Sequence, residues 1–284
     1  MLKLNKIKIY FLILLLLTNG MIFYTVLAES RNGILKVSFL DVGQGDAIFI
    51  ESPTGNQFLI DGGPDRSILS ALGRVMPFYD KTIDAVLVTH PDQDHIGGIP
   101  LVLKNYNVGE FISTGATSST GTYKELESEV IKNKIKSESI IKDELIDIGG
   151  GAFLKILYPV NSPKGKDTNE YSVVAKLYYG ENTFLFTGDA PTDVEQYLAG
   201  TVGKDLKSEV LKVAHHGSRN SLSPEFLSAV SPEFSVISAG KNNSFGHPHK
   251  EIIDFLNSIK SQILGTYDRG DIYFVSDGEN LTLK

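Results

Sequence analysis

The chain has 284 residues and no cysteine, which excludes disulfides and thiolate metal sites. Its hydrophobic content of 42% can fill a sizeable core and argues against a disordered protein. The formal net charge of −7 argues against tight, sequence-independent clamping of duplex nucleic acid, because such binding needs many Lys and Arg contacts to phosphates. Any metal ion must be held by imidazole and carboxylate groups.

The first 28 residues differ from the rest of the chain. Lysines at positions 3, 6 and 8 precede the apolar stretch 9–17, and Val26-Leu27-Ala28 resembles a small-residue cleavage site. This pattern is typical of an export signal, but the 20 residues from 9 to 28 are also long enough to remain as a membrane anchor. In both cases residues from about 30 onward face outward. Because residues 1–28 contain three lysines and no acid, their removal changes the net charge from −7 to −10.

Strand-like and helix-like segments alternate after this segment without a linker or internal repeat, which predicts one domain over residues 32–284. Apolar runs predict strands at 35–40, 47–50, 57–60, 85–88, 172–179, 183–187, 209–214 and 234–238. Capped or amphipathic stretches predict helices at 68–76, 123–135, 193–198, 224–230 and 251–259. Gly180-Glu181-Asn182 predicts a hairpin loop between two of the strands.

The densest cluster of possible metal ligands follows the predicted strand 85–88. His90, Asp92, Asp94 and His95 fall within six residues, so a buried strand would deliver four ligating side chains to its open end. The alternative is a polar turn in which Asp92 and Asp94 only cap a helix that starts near His95. Capping needs one carboxylate and not four ligands, so we favour a metal site.

Polar residues suited to metal chemistry follow three other predicted strands. Asp61 follows strand 57–60, Asp189 follows strand 183–187, and His215-His216 follows strand 209–214. Ligands on four separate strand ends would converge on one rim of the fold. Asp61 either accepts a hydrogen bond from a ligand histidine or caps the turn after it. We favour the first, because ligand imidazoles commonly need a carboxylate partner.

Several motifs occur in order along residues 33–284. They are Phe39-Leu40-Asp41-Val42-Gly43-Gln44-Gly45-Asp46-Ala47, Leu59-Ile60-Asp61-Gly62-Gly63, Thr89-His90-Pro91-Asp92-Gln93-Asp94-His95-Ile96-Gly97-Gly98, Phe186-Thr187-Gly188-Asp189, Val213-Ala214-His215-His216-Gly217-Ser218, Phe245-Gly246-His247-Pro248 and Thr266-Tyr267-Asp268-Arg269-Gly270. This set resembles the metallo-β-lactamase superfamily and, within it, the C-terminal hydrolase domain of the ComEC family of DNA-uptake competence proteins. The resemblance implies an α/β fold, the αββα sandwich, with a binuclear metal site along one rim. The membrane channel of full-length ComEC is absent here, so DNA transport does not follow.

The resemblance also implies the ligand set, which consists of His90, Asp92, Asp94, His95, Asp189 and one of the two adjacent histidines, taken as His215. His90 and Asp92 would serve one ion, Asp94, His95 and one of the two adjacent histidines would serve the other, and Asp189 would bridge them. Two ions about 3.5–4 Å apart could hold a bridging hydroxide. Asp92 stands where the superfamily usually has a histidine, and Ser172 lies in the segment that replaces a further ligand histidine. The nitrogen-poor first site makes Mn²⁺ plausible beside Zn²⁺.

The loop 240–249 contains hydrogen-bond donors and a candidate acid or base. His247 could bind a substrate phosphate or donate a proton to the leaving group, so we predict His247 and Asp94 as catalytic residues. Asp61, His216, Ser172 and Asn243 are predicted to support the ligands or contact substrate. His249 could simply cap the following helix. Asp41, Gln44 and Asp46 lie in a glycine-rich turn and are interpreted as structural.

These patterns predict an exported, metal-dependent hydrolase that acts on phosphodiesters, with nucleic acid as the leading substrate and two zinc or manganese ions as cofactors. A first alternative is a hydrolase of a small or wall-linked ester, such as phosphorylcholine, or of a lactam. A second alternative is a non-catalytic, metal-stabilised binding module. Contact with a membrane is expected only through the N-terminal segment, if that segment stays uncleaved, and no protein partner follows from the sequence.

Overall fold

The computed structural model of the protein describes residues 6–29, 33–162 and 167–284. Lysine 3 of the predicted signal and residue 32, the predicted start of the domain, lie outside the described residues. The first helix, α1 (Lys6–Glu29), contains an exposed apolar segment, Lys6–Tyr24, with a mean hydropathy of 1.9. By length and composition this helix could cross a membrane, which fits both the signal peptide and the anchor predicted from the sequence.

The described part of the chain contains 15 strands. In chain order they are β1 (Leu35–Phe39), β2 (Ile48–Glu51), β3 (Gln57–Ile60), β4 (Thr82–Val88), β5 (Asn107–Ser113), β6 (Lys136–Ser139), β7 (Leu145–Gly149), β8 (Ala152–Tyr158), β9 (Val174–Tyr179), β10 (Asn182–Phe186), β11 (Val210–Lys212), β12 (Phe234–Ile237), β13 (Gln262–Gly265), β14 (Ile272–Ser276) and β15 (Leu281–Leu283). One sheet has the order β15-β14-β1-β2-β3-β4-β5-β6, and the other has the order β13-β12-β11-β10-β9-β8-β7.

Eight further α-helices follow α1 in the described residues. They are α2 (Ser67–Val75), α3 (Gln93–Ile96), α4 (Ile99–Asn105), α5 (Gly121–Lys132), α6 (Thr192–Thr201), α7 (Pro224–Val230), α8 (Lys250–Ser258) and α9 (Thr266–Arg269). Apolar side chains of α2, α4 and α5 pack on the outer face of the first sheet, and those of α6, α7 and α8 pack on the outer face of the second. The result is the predicted α/β fold, an αββα sandwich.

The core between the two sheets is built from strand residues that alternate inward. Phe39, Phe184 and Phe274 are fully buried there, and Phe39 and Phe184 each contact Phe274 at ring centroid distances of 6.1 and 5.8 Å. Apolar burial of this extent holds the sheets face to face, because each large buried side chain contributes roughly 1.5–3 kcal/mol. The two sheets therefore form a rigid base for groups at their rims.

All eight predicted strands and all five predicted helices are confirmed, with bounds that differ by a few residues. The hairpin around Gly180-Glu181-Asn182 is confirmed too, since β9 and β10 pair antiparallel. The strands that the sequence did not predict include β6, whose four residues Lys136–Ser139 are all exposed and polar. An edge strand without an apolar side chain carries no periodic signal.

Two parallel strand pairs place the candidate ligands. β3 and β4 run parallel in the first sheet, and β10 and β11 run parallel in the second. Because parallel neighbours end at the same edge of a sheet, the residues that follow them gather at one rim of the sandwich.

Candidate metal centre

Short helix α3 carries Asp94 and His95 into the rim directly after β4. It sits against the turn that follows β3, where the Gly62 N–H donates to the His95 carbonyl at 2.7 Å and the Gly98 N–H donates to the Gly63 carbonyl at 3.1 Å. A Cβ atom on Gly98 would lie 2.2 Å from the Gly62 carbonyl oxygen, so only glycine permits this approach. The pairs Gly62-Gly63 and Gly97-Gly98 thereby hold His95 next to Asp61.

The second sheet contributes Asp189 after β10 and His216 after β11. His215 and His216 both adopt left-handed backbone conformations, with φ of 49° and 55°. The loop is held because the His215 N–H donates to the Gly188 carbonyl at 3.2 Å and the Thr187 hydroxyl donates to the Lys212 carbonyl at 2.6 Å. This turn directs the His216 imidazole towards Asp189.

Four of these side chains form one group. A ligand atom from each of Asp94, His95, Asp189 and His216 lies within 4.8 Å of the others. His216 Nε2 is 3.2 Å from Asp94 Oδ2 and 3.5 Å from Asp189 Oδ2, and His95 Nε2 is 3.3 Å from Asp189 Oδ1. Two imidazoles and two carboxylates at such spacing are a donor set that suits zinc or manganese.

His90 and Asp92 flank this group on one side. The rings of His90 and His95 are 4.0 Å apart between centroids, and His90 Nε2 lies 3.8 Å from Asp92 Oδ2. Asp92 stands at the N-cap position of α3 without capping it, and its Oδ1 instead accepts a hydrogen bond from the Thr168 hydroxyl at 2.5 Å. The cap-only interpretation of Asp92 therefore fails, and His90 with Asp92 offers a second position for an ion beside the first.

Three histidines have their hydrogen bonds arranged as metal ligands require. His95 Nδ1 lies 2.8 Å from Asp61 Oδ2, and His216 Nδ1 lies 2.8 Å from the Ser238 carbonyl oxygen. His90 Nδ1 lies 3.0 Å from the Thr89 hydroxyl, which itself donates to Asp61 Oδ2 at 2.6 Å. Because these partners can accept, Nδ1 is the donor in each case. Each Nε2 faces the group and is the atom left to bind a metal ion.

Several atoms that face the centre have no hydrogen-bond partner within the ranges that the structure describes, although His95 Nε2 and Asp189 Oδ1 lie 3.3 Å from each other. Among the described residues, His90 Nε2, His95 Nε2 and Asp189 Oδ1 are buried and have no hydrogen-bond partner. Buried polar atoms are nearly always satisfied, so a row of orphaned nitrogen and oxygen atoms fits bound cations. The residues present thus fit divalent metal ions.

Electrostatics support the same conclusion. Burial lowers the pKa of His95, but the Asp189 and Asp61 carboxylates outweigh burial and raise this pKa well above its usual range. Burial, together with neighbouring His95, lowers the pKa of His90 to about 3. Burial would raise the pKa of Asp189, but His216 and His95 hold it well below its usual range. The Asp189 carboxylate therefore carries its negative charge where a cation would sit.

All six predicted ligands lie around the centre, but His216, which is not one of them, lies closer to it than His215. His216, predicted to support the ligands or contact substrate, is buried and lies inside the four-residue group, whereas the side chain of His215, predicted as the ligand, is 29% exposed with Nε2 3.7 Å from Asp189 Oδ2. The ligand role of either histidine stays a prediction, and the geometry favours His216.

Predicted supporting residues have defined contacts. Asp61 accepts hydrogen bonds from the Thr89 N–H at 2.8 Å and from the Thr89 hydroxyl. Ser172 is buried, with Oγ 3.2 Å from His90 Nδ1, and also accepts the Asp189 N–H at 3.2 Å. Asn243 faces its own loop, because its Oδ1 accepts the His247 N–H at 2.9 Å and its amide donates to the Gly240 carbonyl at 2.8 Å. Asn243 therefore holds the loop that carries His247.

His247 stands at the mouth of the centre. Its ring centroid is 5.9 Å from that of His215 and 6.3 Å from that of His216, and its Nδ1 is a buried atom without a hydrogen-bond partner in the described part of the chain. Burial and the neighbouring His216 lower the pKa of His247 to about 4, so this imidazole is neutral at neutral pH in the free protein. The His249 side chain does not cap α8, and instead its Nδ1 accepts the Arg219 N–H at 3.1 Å.

Sequence reasoning missed a buried ion pair beneath the ligands. Lys212 on β11 is fully buried and pairs with Asp46, which had been interpreted as a turn residue. Lys212 Nζ also donates to the Gly188 carbonyl at 3.1 Å, and Asp46 Oδ1 lies 3.4 Å from His216 Nδ1. The sequence did contain an indication of this ion pair, since Lys212 lies inside the apolar run Leu211-Lys212-Val213-Ala214. A lysine buried in such a strand needs a carboxylate partner.

Comparisons with known proteins give a consistent result. The sequence profile of the Metallo-beta-lactamase superfamily matches residues 40–241. ComE operon protein 3 of Bacillus subtilis is 32% identical over 257 residues, covering 84% of this chain and 33% of the relative. Recombination protein 2 of Haemophilus influenzae is 33% identical over 241 residues, covering 84% of this chain and 28% of the relative. The chain thus spans about a third of the length of these relatives, and the resemblance to competence proteins of the ComEC type is confirmed.

Solved structures agree on the fold. The metallo-beta-lactamase fold protein YhfI from Bacillus subtilis has a TM-score of 0.56 and 12% sequence identity, covering 86% of this chain and 99% of YhfI. At this identity the likeness shows the shared fold alone.

Proposed function

The chain belongs to the metallo-beta-lactamase superfamily, whose members are generally metal-dependent hydrolases, and on that premise we propose that it hydrolyses phosphodiester bonds of nucleic acid with two divalent ions. The observation that carries the proposal is the row of orphaned ligand atoms at the rim, with each histidine Nδ1 held by an acceptor. A site of this kind is built for metal chemistry and not for packing.

The proposed ions would be held by two sets of side chains. Asp94, His95, Asp189 and His216 would hold one ion, and His90 and Asp92, with Asp189 shared, would hold the other. When bound, divalent ions supply an activated water and neutralise charge on the reacting phosphate. Asp61 and Thr89 would keep the histidines oriented, which the short hydrogen bonds between them support.

The walls next to the centre are consistent with a nucleotide. A groove of about 370 Å³ starts at His90 and Pro91 and passes between β5 and α5, where Phe111 and Leu126 form part of its apolar lining. A nucleobase could lie there while its phosphate faces the metal ligands. The neutral His247 could then hydrogen-bond a phosphate oxygen or the leaving group from the opposite side.

The names of the relatives support nucleic acid as the substrate class. One relative is named for the competence operon and another for recombination, which is a reaction of DNA. The net charge of −7 opposes strong nonspecific binding, so metal ions and local positive charge would have to position the strand.

The test is an activity assay on the purified full chain, loaded with Mn²⁺ or Zn²⁺. The substrates are plasmid DNA, single-stranded DNA, a chromogenic phosphodiester, a choline ester and a chromogenic lactam. We expect cleavage of the phosphodiesters only, nearly abolished by His90→Ala, Asp94→Ala and Asp189→Ala, whereas Asp193→Ala, an exposed change on α6, should leave cleavage unchanged. Cleavage of the lactam or the choline ester with every phosphodiester intact would refute the proposal and favour the first alternative. Metal binding without any hydrolysis would favour the binding module.

We further propose that the hydrolase domain, residues 32–284, lies outside the cytoplasmic membrane. The apolar helix Lys6–Tyr24 and the lysines at its start support this, because basic residues at the start of such a helix stay inside. Protease added to intact spheroplasts should degrade the domain, or the domain should appear in the medium. Recovery of uncleaved protein from the cytoplasm would refute this location.

A further inference from the structure

A groove of about 380 Å³ on the outer face of the second sheet is lined by five lysines and two aspartates. The lysines are Lys142, Lys155, Lys176, Lys204 and Lys207, and we call this the lysine groove. Asp143 and Asp205 are the acidic side chains among its lining residues. The whole chain has a net charge of −7, so this surface is opposite in sign to the protein as a whole.

Four lysines of the groove have no carboxylate partner, as is also true of other lysines in the described residues, but these four surround one concavity. Lys142, Lys155, Lys204 and Lys207 form no ion pair within the described ranges 6–29, 33–162 and 167–284. By contrast, Lys104 pairs with Glu125 at 2.6 Å, and five further lysines in these ranges pair with nearby carboxylates. Unpaired ammonium groups around one concave surface are available to bind an anion.

Lys176 holds the wall of the groove in place. Its side chain is buried, and its ammonium donates to the Asp205 carbonyl at 2.8 Å and to the Lys207 carbonyl at 2.5 Å. These bonds fix the backbone that carries Lys204 and Lys207. Burial lowers the pKa of Lys176, the Asp205 carboxylate opposes this effect, and the Lys155 ammonium adds to it.

The groove lies along the strand that leads to the metal centre. Lys176 is on β9, four residues after Ser172, whose hydroxyl contacts His90. The groove therefore lies outside the metal centre, on the sheet whose strands lead to it.

We propose that the lysine groove binds phosphate groups of the substrate strand outside the metal centre, an inference that rests on the proposed function. Its lysines lie on several elements around a concavity larger than a single phosphate, which favours an extended phosphodiester over an isolated ion. Binding in the groove would give an acidic protein the local positive charge that it needs to hold a nucleic acid.

The experiment measures binding separately from cleavage. Full-length Asp189→Asn protein in EDTA is titrated against a fluorescent single-stranded oligonucleotide of 12 thymidines, and anisotropy is recorded over a series of salt concentrations. The test variant adds Lys155→Gln, Lys204→Gln and Lys207→Gln and keeps Lys176. The control adds Lys124→Gln, Lys260→Gln and Lys284→Gln, which remove the same charge from exposed sites elsewhere.

We expect the groove variant to bind at least about tenfold more weakly and its salt dependence to fall by about two units of slope, since each lost phosphate contact contributes about 0.7 for single strands. The control should bind like the parent. Equal weakening in both variants, or no weakening in either, would overturn the inference.

Competitors identify the ligand chemistry. Tripolyphosphate should displace the oligonucleotide from the parent, and orthophosphate should displace it only at much higher concentration. Binding of the groove to vesicles of phosphatidylglycerol without affinity for the oligonucleotide would overturn the inference in favour of a membrane surface. The binding result does not depend on catalysis. If binding depends on the groove but the metal-loaded protein cleaves no DNA, only the proposed function is refuted. If the protein cleaves DNA but the groove variant binds normally, only the inference about the groove is refuted.

Discussion

Oδ2 of Asp61 lies 2.8 Å from Nδ1 of His95, and both side chains are fully buried. The same carboxylate oxygen accepts the Thr89 hydroxyl, which in turn contacts His90 Nδ1. One carboxylate therefore orients histidines on both sides of the proposed pair of ions.

Asp61→Asn should weaken metal binding without removing a ligand. An amide oxygen can accept the His95 Nδ1 hydrogen bond, but it carries no negative charge to raise the basicity of that imidazole. We therefore expect the affinity for Mn²⁺ or Zn²⁺ to fall by about 10–100-fold. Calorimetric titration of the purified protein measures this change. Asp65→Asn, at an exposed position after the same turn, is the control. Unchanged affinity in Asp61→Asn would show that the carboxylate has only a structural role.

His216→Ala and His215→Ala should differ in their effect on metal binding. His216 Nε2 lies 3.5 Å or less from oxygen atoms of both Asp94 and Asp189, whereas His215 is further out and partly exposed. We expect His216→Ala to lose most of the thermal stabilisation that metal gives, and His215→Ala to keep most of it. Melting curves with and without Mn²⁺ measure the difference, and the reverse order would return the ligand role to His215.

His247→Ala should lower turnover and leave metal content unchanged. The neutral imidazole at the mouth of the centre is placed to contact substrate, and removal of a group that acts on the transition state typically costs about 10²–10⁴-fold in rate. Elemental analysis and phosphodiesterase kinetics are measured on the same preparation. His249→Ala, which removes the acceptor of the Arg219 N–H, should have a much smaller effect on rate. A matching loss of metal in His247→Ala would contradict the substrate role.

Glu195 should make the stability of the protein depend on pH. Burial raises its pKa from 4.5 to about 7, although the Ser223 and Leu222 N–H groups donate to it and oppose the shift. Because the folded state disfavours ionisation, the stability is fully present below the unfolded pKa of 4.5 and is lost as the pH rises to about 7. The loss approaches about 3 kcal/mol, at 1.36 kcal/mol for each pKa unit.

Urea unfolding of the wild type, Glu195→Gln and the exposed control Glu225→Gln at pH 4 to 8 checks this prediction. The free energy of unfolding of the wild type relative to Glu195→Gln should fall by about 3 kcal/mol over this range. The wild type relative to Glu225→Gln should change little. A constant difference between wild type and Glu195→Gln would show that folding does not shift the pKa of Glu195.

The sequence was sufficient to predict where the strands end, because each ligand follows an apolar run that forms a strand in the structure. It could not assign His215 and His216, since adjacent residues share the same strand end and only the left-handed backbone decides which imidazole turns inward. It also missed the pairing of Asp46 with Lys212, which joins positions 166 residues apart on different sheets. Contacts of that kind depend on how the two sheets pack and leave no local periodic signal.

In the ligand-free protein, the left-handed turn at His215 and His216 already places the imidazoles for metal binding. The same turn lowers the free energy of unfolding of the protein. Two consecutive non-glycine residues in this conformation cost roughly 1–2 kcal/mol each, whether or not an ion is present. Glycine at position 215 would relieve part of that cost and make the ligand-free fold more robust. The turn is therefore a place where selection for a durable fold and selection for a working centre favour different residues.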